Sequence, residues 1–235
     1  SPWVMSMSWS KLLFVHWHVD AEALRPHIPP MLDIDTFDGR AWIAIVPFTM
    51  SGVRARFTPA LPGVGAFHEL NVRTYVSYNG KPGVWFFSLN AASRLGVETA
   101  RLTFHLAYFN AKMSLVERDG TIKYSSARVD QRADSAELEC EYRSIGEYVV
   151  PAPDSLESFL TSRYCLFASE LPPREPKRVW VGEIDHEPWQ LAPAQCEVHR
   201  NTMCQSLGIT TPIDEAHLMV ARPLDVRAWW PRLAP

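Results

Sequence analysis

Apolar and polar positions alternate with a period of two along most of the chain, the pattern of a β-strand whose successive side chains point to opposite faces. In Leu12–Val19, Leu13, Val15, Trp17 and Val19 share one face, while Leu12, Phe14, His16 and His18 share the other. Asp20 then stands as the N-cap of a short helix through Leu24, and Pro29-Pro30 prevents helical continuation. Asp38-Gly39 predicts a turn between Leu32–Phe37 and the strongly apolar Ala41–Phe48. Arg54–Gly65, rich in Pro, Gly and Arg, reads as an irregular loop. Phe67–Tyr78 and Val84–Asn90 read as strands joined through Asn79-Gly80, and Ser93 caps a helix reaching Arg101. Ala111–Arg118 and Thr121–Val129 form a hairpin around Asp119-Gly120, and Glu137–Arg143 follows as a strand. Asp154-Ser155-Leu156-Glu157 has capping-box spacing and opens a helix to about Phe167. A strand over Arg178–Ile184, a helix around Ala194–Leu207 and a strand near Ala216–Arg222 complete the pattern. No repeat or long linker interrupts it, so residues 1–235 are expected to form one domain, mainly antiparallel β (α+β) with a few short helices.

Composition narrows the function classes. The 235 residues are 47% hydrophobic and 21% charged, a soluble globular balance, with nine Trp standing out. A net charge of −3 gives no basic footprint for nucleic acid or an anionic membrane. The uncharged runs Ala41–Val53 and Gly83–Ser93 are too short to span a bilayer as helices. The first nineteen residues lack a basic n-region and a small-residue cleavage site, so no secretory leader is expected. Four Cys, at 140, 165, 196 and 204, form no C-x-x-C and fit a reducing cytoplasm.

Little of the chain matches known catalytic patterns. It has no G-x-S-x-G elbow, phosphate-cradling Gly loop or dinucleotide fingerprint, so no cofactor is expected. His16-x-His18 puts two imidazoles on one strand face, but no second spaced pair completes a metal site, and none is expected. Phe67–Tyr78 is more informative. Its polar face carries Glu69, Asn71, Arg73 and Tyr75. The ordinary pattern of antiparallel sheets makes this a solvated outer face. The alternative is a polar wall lining an internal cavity, where Glu69 acts as general acid or base and Arg73 holds a substrate carboxylate.

Several ordered stretches resemble the YqjF-like family of uncharacterised proteins: LLFVHWHVDAEALRPHIPP, DTFDGRAWIAIVPF, FHELNVRTYVSYNGKPGVWFFSL, SLESFLTSRYCLF and IDHEPWQL. The resemblance runs from about Trp9 to Trp230. That family is in turn distantly similar to acetoacetate decarboxylase, which implies an antiparallel β cone or barrel around a central cavity. In the decarboxylase a lysine of lowered pKa forms a Schiff base with a β-keto acid, and an arginine and a glutamate complete the pocket. By resemblance the glutamate falls on Glu69 and the arginine position on His18, while the lysine pair falls on Tyr108 and Phe109. Lys112 lies four residues beyond Tyr108, roughly 13 Å along a strand.

Phenol and phenyl rings make no imine, so the usual Schiff-base decarboxylation is expected to be absent. What the resemblance leaves is a cavity with Glu69, His18 and Tyr108 as catalytic candidates. Arg73, Trp17, Trp42 and Trp85, with Phe48 and Phe87, are its candidate lining. Two functions fit: a binder of a small carbonyl or carboxylate compound, or a lyase, hydratase or aldol-type enzyme using the same groups. The expected partner is a small molecule, with a homo-oligomer possible through exposed edge strands.

Overall fold

One long alternating strand sets the architecture. In the computed structural model, which describes residues 2–59, 66–170 and 175–234, β4 runs over Ala41–Ala55. Ala41, Ile43 and Ile45 point to one side of it, and Trp42, Ala44, Val46, Phe48 and Met50 to the other. Both sets are buried, because each side of the strand carries its own core.

The reason lies in the pairing. β4 is followed by β5 (Ala66–Tyr78) and β6 (Lys81–Ala91) in an antiparallel trio. On one side of the trio stand β1 (Met5–Ser10), β10 (Cys165–Ala168), β11 (Trp180–His186) and β14 (Leu224–Ala228). The order β4-β1-β14-β11-β10-β6-β5 closes on itself as one ring. The other side holds β2 (Leu12–Val19), β7 (Tyr108–Arg118), β8 (Thr121–Arg128), β9 (Glu137–Ser144), β12 (Leu191–Asn201) and β13 (His217–Ala221). These close a second ring in the order β4-β2-β13-β12-β9-β8-β7-β6-β5. The short β3 (Asp33–Ile34) pairs with β5, and β15 (Arg232–Leu233) with β11. The helices are α1 (Ala21–Leu24), α2 (Arg94–Phe104) and α3 (Leu156–Thr161). Among the described residues none is long and apolar enough to cross a membrane.

Three hairpin turns follow from local chemistry. Asp38-Gly39, Asn79-Gly80 and Asp119-Gly120 all have both residues at positive φ, the conformation that matches strand twist in a two-residue loop. The Ser93 cap also forms: its Oγ accepts the Gly96 N–H at 3.2 Å.

Two expected helices are corrected. The segment around Ala194–Leu207 is mostly strand β12, with Ala192, Ala194 and Val198 turned to the second core and Gln195, Glu197 and His199 outward. Its true period is two, and only a 3₁₀ turn at Gln205–Leu207 is helical. The helix expected to reach Phe167 ends at Thr161, with Ser155 as its cap. Beyond it, β10 pairs with β6 and β11 to close the first ring, so tertiary pairing overrides the local pattern. Strands β1, β14 and β15 were not predicted. The irregular loop begins later than expected, since Arg54 and Ala55 still belong to β4, and residues 60–65 lie outside the described set.

The parallel β6–β10 pairing depends on Gly83. A Cβ there would stand 2.6 Å from the Phe167 ring and 2.8 Å from the Cys165 carbonyl oxygen. Gly83→Ala is therefore expected to destabilise the protein by about 1–3 kcal/mol. Urea denaturation reads this directly, and an unchanged midpoint would show that the ring closes without the close approach.

Candidate functional site

β5 is shared by both rings, so over Glu69–Val76 both of its faces are largely buried. The register sets Glu69 opposite Phe48, Asn71 opposite Val46 and Arg73 opposite Ala44, all three partners belonging to the first core. Glu69 is 3% exposed, Asn71 5% and Tyr75 0%, with Arg73 half-buried. The face is thus the internal polar wall, and the solvated-face reading is corrected.

At one end of this wall Glu69 meets Tyr108. β7 starts parallel to β6 with Tyr108 beside Leu89, which itself pairs with Asn71, and this brings the phenol over the carboxyl. The Tyr108 hydroxyl donates to Glu69 Oε2 at 2.9 Å. From the second core, the Tyr124 hydroxyl donates to the Glu69 backbone carbonyl at 2.7 Å, fixing the strand at that residue. Burial pushes the Glu69 pKa from 4.5 up to about 8, with the Tyr108 hydrogen bond opposing the rise. Burial and Glu69 together push the Tyr108 phenol well above its ordinary range. At neutral pH the pair is a carboxylic acid beside a phenol. A protonated carboxyl that accepts from Tyr108 keeps its own O–H to donate to a ligand oxygen.

The other expected groups lie elsewhere. His18 is exposed at the far end of β2, where it pairs with Trp42 and meets that ring edge-on at 6.1 Å. Trp42 lies six residues along β4 from Phe48, the partner of Glu69, a separation of about 20 Å. His18 therefore does not converge with Glu69 and Tyr108. Trp17 faces the second core and donates from Nε1 to the Pro212 carbonyl at 2.7 Å. Trp85, opposite Thr74, packs on that same side. Of the aromatic lining, Trp42 and Phe48 share the side of Glu69. Phe87 sits at a bulge in β6 and packs toward the second core. Lys112 is exposed and lines an outer groove of about 400 Å³ with Ser114, Ser125 and Glu139. A cavity of about 390 Å³ lies at the strand ends beside Glu69, lined by Thr49, Ala66, Phe67, His68, Ala92 and Ser93. Neither of these two takes in Glu69, His18 or Tyr108.

The opposite end of the wall holds a second cluster that sequence reasoning did not assemble. His16 is fully buried, with Nε2 2.7 Å from the Tyr75 hydroxyl. Burial, then the Arg73 charge and His217, hold its pKa well below 6.5, so the imidazole is neutral. Arg73 donates from Nη2 to the Leu160 carbonyl at 3.2 Å and lies over the Phe14 and Tyr75 rings. Arg163 pairs with Asp35, and His217 stands 3.3 Å from Glu157. The available signal was the position of His16 beside Phe14 on an otherwise apolar face.

A family model described as "Uncharacterized conserved protein (COG2071)", DUF2071, matches residues 6–225. The chain belongs to the DUF2071 family. Over 227 residues it is 40% identical to the "Uncharacterized protein YqjF" of Bacillus subtilis (strain 168), covering 97% of this chain and 91% of the relative. In structure this DUF2071 chain resembles the enduracididine biosynthesis enzyme MppR complexed with the condensation product of pyruvate and imidazole 4-carboxaldehyde. The TM-score is 0.68 at 13% identity, over 99% of this chain and 90% of that one. Acetoacetate decarboxylase from Legionella pneumophila matches with a TM-score of 0.66 at 13% identity, over 100% and 88% of the two chains. At such identities the likeness shows the fold, which is acetoacetate decarboxylase-like.

The raised pKa of Glu69 has a consequence for stability. In the unfolded chain this carboxyl titrates near 4.5, in the folded chain near 8. Its stabilising contribution is thus fully present below pH 4.5 and is lost as pH rises to about 8. Glu69→Gln removes the titration. Its stability relative to wild type is expected to rise by on the order of 4–5 kcal/mol between pH 4.5 and 8, then level off. Denaturant titrations across that range check this, and parallel curves for the two proteins would show that Glu69 ionises normally.

Proposed function

We propose that the chain binds a small carbonyl or carboxylate compound against the Glu69–Tyr108 pair, through hydrogen bonding and proton donation and without an imine. The carrying observation is a buried carboxyl, kept neutral by desolvation, with a phenol 2.9 Å away as its hydrogen-bond partner. Neither group forms a Schiff base, yet with Tyr108 donating to Glu69 the pair keeps one free O–H, that of Glu69, for a carbonyl or carboxylate oxygen. The structural relatives support the ligand class: MppR is described in complex with pyruvate, and acetoacetate decarboxylase carries its substrate in its name.

The pKa near 8 also favours a catalytic reading. An acid that titrates close to the working pH suits proton transfer, so the alternative is a lyase, hydratase or aldol-type step. In it Glu69 protonates a developing enolate or alkoxide, and Tyr108 holds the resulting carboxylate. A cytoplasmic location fits the four free thiols, and the net charge of −3 argues against nucleic acid or anionic membrane as partners.

Calorimetry with pyruvate and acetoacetate tests the reading. Tyr108→Phe and Glu69→Gln are each expected to weaken binding at least tenfold, and wild-type affinity to fall as pH rises through 8. Borohydride added with either ligand is expected to leave no lysine adduct. An adduct on Lys112 or any other lysine, or full binding by both variants, overturns the proposal.

A further inference from the structure

Two of the four thiols meet across neighbouring strands. In the register of β9 and β12, Cys196 stands opposite Tyr142 and Val198 opposite Cys140, so the two cysteines are diagonal neighbours on one face of the sheet. That face is the inner one. Both side chains pack in the second core, Cys140 buried and Cys196 half-buried. A bulge follows directly, where the register shifts between Val198 and Arg200, and it adds local twist to β12. The thiols are hydrogen-bonded to each other, with the Cys140 S–H donating to the Cys196 sulfur. The other two lie apart from this pair: Cys165 sits on β10 opposite Glu183, and Cys204 is buried beyond the end of β12.

The two members differ in reactivity. Cys196 is the more exposed, and the hydrogen bond from Cys140 holds its pKa below the ordinary thiol range against burial and the Glu197 charge. Cys140 is pushed up by the same hydrogen bond and by burial. A thiolate within reach of solvent is the nucleophile, and a protonated thiol beside it is placed to resolve the first product. Geometry sets how firmly a bond between them would hold. Diagonal neighbours stand about 7–8 Å apart at Cα, against about 4.4–6.8 Å in most disulfides. A bridge here needs a small shift of one strand, and disulfides closed under strain are readily reduced. Such bonds form and break in a reducing compartment instead of persisting as staples.

We infer that Cys140 and Cys196 form a peroxide-sensitive dithiol that closes reversibly to a disulfide joining β9 to β12. In the first step the Cys196 thiolate attacks one oxygen of a hydroperoxide. The O–O bond breaks, Cys196 becomes a sulfenic acid, and the other oxygen leaves as alkoxide or hydroxide and is protonated by water. In the second step the Cys140 sulfur attacks the sulfenic sulfur. The S–S bond forms, the S–O bond breaks, and the departing hydroxide takes the Cys140 proton to leave as water. The two thiols lose two electrons, and the hydroperoxide takes both. A small thiol such as glutathione reverses the change by exchange and is itself oxidised to its disulfide. The site does not depend on the reading at Glu69, which lies on another strand.

Hydrogen peroxide in small excess over the full-length protein is the probe. Thiols counted after denaturation are expected to fall from four to two, and reduced glutathione to restore all four. Trypsin cleaves after Arg132, Arg143, Arg163, Arg178 and Arg200, which puts each cysteine on its own peptide. The non-reduced digest of the oxidised monomer is expected to join the Cys140 peptide to the Cys196 peptide. Cys196→Ser is expected to abolish the link and to leave Cys140 reduced. Cys140→Ser is expected to stall at the sulfenic acid on Cys196, which dimedone traps. If Cys140→Ser fails to fold, the wild-type digest and Cys196→Ser carry the test. A link through Cys165 or Cys204, a link between two molecules, or the survival of all four thiols overturns the inference. So does a Cys196→Ser protein whose Cys140 oxidises at the wild-type rate.

Discussion

The sharing of β4, β5 and β6 between two closed rings is the constraint from which the chemistry follows. A sheet with one wet face places polar side chains there without cost. A strand enclosed on both sides has no such outlet, so each polar residue on β5 must find an internal partner or be neutral. The two ends of the strand resolve this differently. Glu69 meets only a phenol and takes up a proton, whereas Arg73 keeps its charge and leans on ring faces and a backbone carbonyl. Thr74 on the opposite face shows the ordinary solution, donating its hydroxyl to the Trp42 carbonyl at 2.7 Å.

The same enclosure sets the protonation of the groups it covers. An imine-forming site needs an amine that is largely unprotonated, and desolvation together with a neighbouring cation lowers a lysine pKa to that end. Desolvation acts here on a carboxyl, and the direction reverses: burial raises the pKa and yields an acid. Tyr108 stands beside that acid as a second weak donor. Such a pair stabilises negative charge on a ligand oxygen without adding charge of its own.

Much of the fold was legible because its signals are local. The Asp-Gly and Asn-Gly turns require both residues at positive φ, and the Ser93 cap requires only a hydroxyl three residues before an N–H. The Ala194–Leu207 helix failed because Ala and Cys at alternate positions read weakly as an apolar face until β9 supplies the partner strand. Glu69, Tyr108 and the alternating Glu-x-Asn-x-Arg-x-Tyr run were legible as candidates, but which face they lined was not. That depends on a ring closed by β1, β10 and β14, strands absent from the sequence-based pattern. His18 was misplaced for a related reason. Two residues separate it from His16 on one strand face, yet the cover over that face, built by α3 and Trp189, reaches His16 and stops short of His18.

The two polar clusters also differ in the contacts that satisfy them. At Glu69 a neutral acid accepts from a phenol, and the carbonyl ligand proposed for it would be held more tightly as negative charge develops on its oxygen. At Arg73 the guanidinium lies over the Phe14 and Tyr75 rings and donates to the Leu160 carbonyl. Placed four residues apart on one strand, the two ends share none of these hydrogen bonds. One strand enclosed by both rings thus holds a neutral acid at one end and a guanidinium against ring faces at the other, in fixed register.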